Sequence, residues 1–324
     1  MIRMLLSNFP EPRGADWGWK MSVCIAVLCN NSKNLVTVSD FKVGFGDFAA
    51  DNLAIKETLI DVEWVALFAG NDIEHAQPIV IRAREIVRTS FLQSFLDKKK
   101  KLELSLPEDA KKAVENTLGH EYPSPEDVAN AVDQAYSERL HSEIEKKVLR
   151  KRGFDTKTFL DMGKQKCTPA AYLSLCSRID QIKISLKFLV CGFGSNGDGH
   201  IYLVDGESAP KCYDPIGMWA IGTGAHAALS SLAFHAEKGA LSIFSPAGRA
   251  VYFATAAKFM AESSAEVGKG TTTVSTKEKG KEWVYVPFPR VEKIRALWEK
   301  QGAPQVPNNL DEEMKDIERM QDMS

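Results

Sequence analysis

Met21-Ser22-Val23-Cys24-Ile25-Ala26-Val27-Leu28-Cys29, then Asn30-Asn31-Ser32-Lys33-Asn34, then Leu35-Val36-Thr37-Val38-Ser39-Asp40, is the stretch on which the fold turns. Its first block is a continuous apolar run carrying β-branched residues, as expected of a strand buried on both faces. The second block is turn chemistry, because asparagine and serine bond to their own backbone and tolerate left-handed conformations. The third block is a second strand, and together the three predict a β-hairpin.

Outward from the hairpin, Phe41–Asn52 reads as a glycine-bearing loop or short strand. Leu53–Asp61 and Glu63–Ala69 read as a further pair of short strands. Ala69-Gly70-Asn71-Asp72 ends that pair and offers Asn71 or Asp72 as a helix cap. Ile73, Ala76, Ile79, Val80, Ala83, Ile86 and Val87 recur at spacings of three and four, which predicts a core-facing helix to about Leu96. Residues 97–170 are rich in lysine and glutamate, and Ser124-Pro125-Glu126-Asp127 is a helix start with proline and acid in the first turn. This segment is expected to be a charged helical insertion, mostly exposed. Strands return at Ile182–Gly192 and His200–Val204 around a glycine-rich turn, and again at Met218–Ile221. Two helices follow, Thr223–Lys238 and Ala247–Glu262, then closing strands at Thr271–Thr276 and Glu282–Val286.

Strand blocks and helix blocks alternate in pairs, unlike the strict alternation of a parallel sheet. The expected class is therefore α+β, with antiparallel sheets and paired helices outside. The expected organisation is residues 1–20 as an N-terminal extension or mis-assigned start, 21–290 as one domain holding the 97–170 insertion, and 291–324 as a polar extension. The tail reads as helical and is interrupted at Gly302-Ala303-Pro304-Gln305-Val306-Pro307.

The chain has 324 residues, 44% hydrophobic and 26% charged, enough to bury a sizeable core without staples. Its formal net charge is −2, and the basic runs Lys98–Lys101 and Lys146–Arg152 sit among acids. That argues against nucleic acid as a partner. None of the six cysteines forms a CxxC pair, so no metal site is expected and the chain reads as reduced and intracellular. No apolar stretch approaches the roughly 18–20 residues of a membrane span. Met4-Leu5-Leu6 is too short for a signal peptide. The expected location is cytoplasmic, without membrane contact, and no cofactor is implied.

The element order, with specific residues at its joints, resembles the proteasome β-subunit family. It is most similar to the bacterial branches, the HslV-type peptidase and the ancestral β-subunit relatives called Anbu. In that family a strand begins with the nucleophile, a hairpin leads to an aspartate, a lysine follows, and an alanine-glycine ends the next strand pair. Asp40, Lys56 and Gly70 stand at the family's intervals of sixteen and fourteen residues. Met21-Ser22-Val23-Cys24-Ile25-Ala26 resembles the Met-Thr-Tyr-Cys-Val-Ala start of Anbu proteins and puts Ser22 where the threonine nucleophile stands. Phe188–Gly194 with His200–Asp205, Ala220-Ile221-Gly222-Thr223-Gly224, and Ala254–Gly268 resemble later family segments. About half of the chain is covered. The family's aspartate near the end of the last helix is missing, and Ser264 falls near its position.

The resemblance implies a four-layer αββα sandwich of the N-terminal-nucleophile hydrolase type. A serine hydroxyl is a weak nucleophile until a base takes its proton. The sequence contains neither a recognisable catalytic histidine motif nor a Gly-x-Ser-x-Gly elbow. The remaining base is the serine's own α-amino group, whose unperturbed pKa of roughly 7.7–8.0 lies near working pH. This requires Ser22 to be the first residue, either because translation starts at Met21 or because residues 1–21 are a propeptide.

By the resemblance, Lys56 is an electrostatic partner of Ser22, Asp40 holds Lys56 charged, and Gly70 offers an oxyanion N–H. Thr223 and Ser264 surround the amine. Thr223 is equally a helix cap, and Gly70 equally a residue needed for positive φ. The implied partners are a peptide or unfolded protein as substrate, further copies of the chain in a ring or spiral, and a regulatory ATPase. Two other readings stay open, a non-catalytic subunit of the same fold and an amidase acting on a small molecule.

Overall fold

The computed structural model describes residues 22–45, 48–50, 56–103, 123–264, 266–301 and 303. The N-terminal extension, Met21, the strand start expected at Leu53, part of the 97–170 segment and most of the tail lie outside these residues.

The chain is mixed α+β with two five-stranded antiparallel sheets. Strands β1 (Cys24–Cys29) and β2 (Asn34–Asp40) form the predicted hairpin. Its turn places Asn30, Asn31 and Ser32 at φ of 52°, 55° and 59°, and asparagine is among the residues that best tolerate this region. A small hairpin follows, β3 (Val43–Phe45) and β4 (Phe48–Ala50). Next come β5 (Glu57–Leu59), β6 (Trp64–Gly70), β7 (Leu186–Phe193), β8 (Gly199–Val204) and β9 (Lys211–Cys212). They pair in that order as one sheet. The other sheet runs β10 (Met218–Ile221), β1, β2, β11 (Thr272–Glu278), β12 (Val284–Tyr285).

Side chains alternate across the sheets, as the pleat requires. Cys24, Ala26 and Leu28 of β1 pack with Val65, Leu67 and Ala69 of β6 and Leu189, Cys191 and Phe193 of β7 in a core between the sheets. Val23, Ile25, Val27 and Cys29 turn the other way. They meet helices α5 (Ala225–Glu237), α6 (Ala247–Ala261) and α7 (Phe288–Gln301). Trp64, Ala66 and Phe68 of β6 meet α1 (Ala76–Glu103) and α2 (Pro125–Ile144) on the outer side of their sheet.

Within the 97–170 segment, read as a mostly exposed insertion, helix α2 departs from that expectation, while the described residues 145–170 are largely exposed. Helix α2 buries Val128, Ala131, Val132, Ala135 and Tyr136 in the same core as Ile79, Val80 and Ala83 of α1. Of its charged residues, Glu126 and Asp127 are exposed, Asp133, Glu138 and Arg139 half-buried, and Glu143 buried. Ser124 caps α2 as expected, its side chain accepting from the Asp127 N–H at 3.1 Å. Helices α3 (Thr156–Lys166) and α4 (Pro169–Asp180) build a small satellite cluster around Leu149, Phe159 and Leu175.

Two further differences are local. Asp72 does not cap the helix that follows it, because its carboxylate accepts from the Ser185 N–H at 2.5 Å and ties that turn to the entry of β7. Helix α7, at the start of the tail, packs Val291, Ile294 and Trp298 against the core beneath α6. Among the described residues no helix is long and apolar enough to cross a membrane.

Candidate active site

Ser22 enters β1 at the end of the hairpin, so the antiparallel return of β2 brings Asp40 beside it. The Val23 N–H donates to Asp40 Oδ1 at 3.0 Å, and the Asp40 N–H donates to the Val23 carbonyl at 3.3 Å. Lys56, just before β5, donates from Nζ to Asp40 Oδ1 at 2.8 Å and to the Lys42 carbonyl at 2.6 Å. The Gly268 N–H donates to Asp40 Oδ2 at 3.0 Å. Asp40 thus accepts from two backbone amides and one ammonium, which offsets the cost of removing its charge from water.

The Ser22 backbone is held from the other side. Its carbonyl accepts from the Gly224 N–H at 3.2 Å and from Thr223 Oγ1 at 3.4 Å, and its own N–H reaches Thr223 Oγ1 at 3.5 Å. Helix α5 begins at Ala225 with Gly224 at the cap, which leaves the Thr223 hydroxyl for Ser22. The Ser22 hydroxyl is buried and has no hydrogen-bond partner among the described residues. Leaving such a group unpaired costs about 1–3 kcal/mol.

Ser22, Gly70 and Thr223 line one cleft of about 300 Å³, together with Ser185, Lys187, Asp205 and Glu207. Asp40 and Lys56 stand behind it, joined to it through Val23. Ser264 does not line this cleft, and its backbone N–H and carbonyl are bonded to Ala261 and Val267 within the turn after α6.

Two glycines shape the approach to Ser22. Gly222 has φ of +95°, and a Cβ there would stand 2.3 Å from the Ser22 carbonyl oxygen. Gly70 has φ of +154°, and its Cβ would stand 2.2 Å from the Ser185 carbonyl oxygen. Both positions exclude side chains on two counts, backbone conformation and space.

Among the described residues no histidine lines the cleft. The nearby thiol is unsuited as a rival nucleophile. Cys24 is fully buried, burial pushes its thiol far up, and its Sγ bonds to the Phe68 carbonyl at 3.4 Å. A thiol must be ionised to attack. Among the described residues no group of three or more His, Cys, Asp and Glu side chains is placed to hold a metal ion.

Several residues were missed by sequence reasoning. Lys258, Glu262 and Arg295 form a charged cluster beneath Gly268, with Lys258 wholly buried. Its one sequence signal was Lys258, the only charged residue between Arg249 and Glu262. Lys187, Asp205 and Glu207 at the cleft had no such signal, being ordinary charges at strand ends. No protein-family model and no curated protein matches the chain.

Proposed function

We propose that the chain is a proteasome-like N-terminal-nucleophile hydrolase, a peptidase or amidohydrolase that uses Ser22 once residues 1–21 are gone. The observation that carries this reading is the Ser22 hydroxyl just before β1, without a partner among the described residues, with the Asp40–Lys56 pair behind it and Gly70 and Thr223 beside it. The two sheets packed face to face, with helices on their outer sides, support the four-layer αββα sandwich.

In this mechanism the freed α-amine takes the Ser22 hydroxyl proton as Oγ bonds to the substrate carbonyl carbon. The proton then passes to the departing amine as the C–N bond breaks, and water hydrolyses the acyl-enzyme. Lys56 supplies positive charge near the developing alkoxide, and Asp40 holds its ammonium in place. An N–H at Gly70 receives the oxyanion. The accompanying proposals are a cytoplasmic protein, assembled with copies of itself in a ring or spiral, acting on peptides or unfolded protein delivered by a regulatory ATPase.

A second reading, a non-catalytic subunit of the same fold, is favoured by the burial of Ser22, only 1% of which is exposed. The two separate in one assay. Protein expressed from Met21, so that methionine removal bares Ser22, is expected to hydrolyse fluorogenic peptides, and S22A to lose all turnover while keeping its thermal midpoint. Equal turnover of the two, or none in either, supports the non-catalytic subunit.

A further inference from the structure

Beneath the site, a run of buried and half-buried charges leads from α7 to Asp40. Arg295 of α7 forks onto Glu262, with Nη1 to Oε2 at 2.8 Å and Nη2 to Oε1 at 2.7 Å. Glu262 Oε1 accepts from Lys258 Nζ at 2.5 Å. The same Nζ donates to the Gly268 carbonyl at 2.7 Å, and the Gly268 N–H donates to Asp40 Oδ2 at 3.0 Å. Asp40 then holds Lys56 and the Val23 N–H.

We propose that Arg295 is a positioning residue for the Ser22 site, acting through Glu262, Lys258 and Gly268 on the Asp40 carboxylate; its catalytic meaning rests on the hydrolase reading above. Three observations carry the argument beyond ordinary helix docking. The first is cost. Lys258 is 0% and Glu262 8% exposed, and buried ion pairs of this kind are commonly no more stable than apolar side chains of equal volume. Val291, Ile294 and Trp298 already dock α7 by apolar contact.

The second is direction. The run does not end in solvent but on Gly268, whose N–H and carbonyl are both occupied, one by Asp40 and one by Lys258. Gly268 closes the loop that Glu262 opens, so the two ends of that loop are fixed by one cluster. The third is rigidity. The Arg295 guanidinium lies 4.0 Å from the Phe259 ring centroid, and Trp298 packs on the same ring at 5.4 Å. A planar fork held in this way keeps a single geometry. Glu262 also stands two residues before Ser264, near where the related family carries its missing aspartate, yet its carboxylate is turned inward to Arg295 and Lys258.

The test is amide hydrogen exchange on the folded full chain, read at Gly268 and Val23, the two amides that donate to Asp40. Val38 and Val274, in the same sheet and outside the run, report global opening. R295M is expected to speed exchange at Gly268 and Val23 at least tenfold beyond the change at Val38 and Val274. R295K, which keeps the charge and loses the fork, is expected to recover only part of that protection, and V291A, which loosens α7 without touching the run, to leave the ratio unchanged. If R295M does not fold, E262Q is read in the same way. Uniform acceleration, no acceleration, or the same pattern in V291A would overturn the proposal. This readout needs no turnover, so it fails or stands separately from the hydrolase reading. In a protein that does hydrolyse peptides, R295M is further expected to lower kcat about tenfold with KM within twofold, and equal kcat would overturn the catalytic part.

Discussion

Asp40 and Lys56 meet at 2.8 Å with 0% and 1% of their side chains exposed. The pair sits at the junction of β2, the entry to β1 and the loop after α6, so removing either partner strands the other without water. Breaking such a pair from one side costs about 3–5 kcal/mol. D40A and K56M are each expected to lose that much in urea denaturation, and the double variant to lose clearly less than their sum. Additive losses would show that the two side chains act independently.

Gly222 lies against the Ser22 backbone in the cleft wall. G222A forces φ of +95° on a side chain and drives its Cβ to 2.3 Å from the Ser22 carbonyl oxygen. A destabilisation of at least about 2 kcal/mol is expected in thermal unfolding. Displacement of the Val23 backbone amide resonance, next to the Ser22 carbonyl, should accompany it, and an unmoved resonance would contradict the close approach.

Glu57 gives the fold a pH dependence. Burial pushes its carboxyl from the ordinary carboxylate range up to about 7, opposed by its bond to Ser275 at 3.1 Å. Because the folded value lies above the unfolded one, the folded state holds the proton more tightly. The stability it contributes is complete below the unfolded carboxylate range and is lost as pH rises through about 7. E57Q is expected to flatten this part of the stability–pH curve and to exceed wild type at pH 8 by on the order of 2 kcal/mol. Parallel curves for the two proteins would contradict it.

Helix α2 is expected to behave as core. Val132 is fully buried against α1 and β7, so V132A should cost on the order of 2 kcal/mol through lost burial and a residual cavity. A change under about 0.5 kcal/mol, typical of surface sites, would restore the picture of an exposed insertion.

The hairpin from Ser22 to Asp40 was legible because its signals are local: an apolar run, a turn of asparagines and a second run. Helix α2 was misread because composition averages over both sides of a helix. Glu126, Asp127, Asp133 and Glu138 dominate the count, while Val128, Ala131, Val132, Ala135 and Tyr136 do the packing. The meeting of Asp40 with Lys56 was anticipated from an interval shared with a known family, and nothing in the intervening residues dictates it. The Lys258–Glu262–Arg295 cluster was illegible, since Arg295 reaches Glu262 only because α7 docks beneath α6.

The central claim is that Ser22 becomes the first residue and the nucleophile of the mature protein. The most direct measurement is intact mass with N-terminal sequencing of the protein purified from its native host. A chain that begins with Ser22 and carries a free α-amine is the predicted result. A chain in which Ser22 remains in peptide linkage to Met21 contradicts it, because no amine then stands beside the hydroxyl to take its proton.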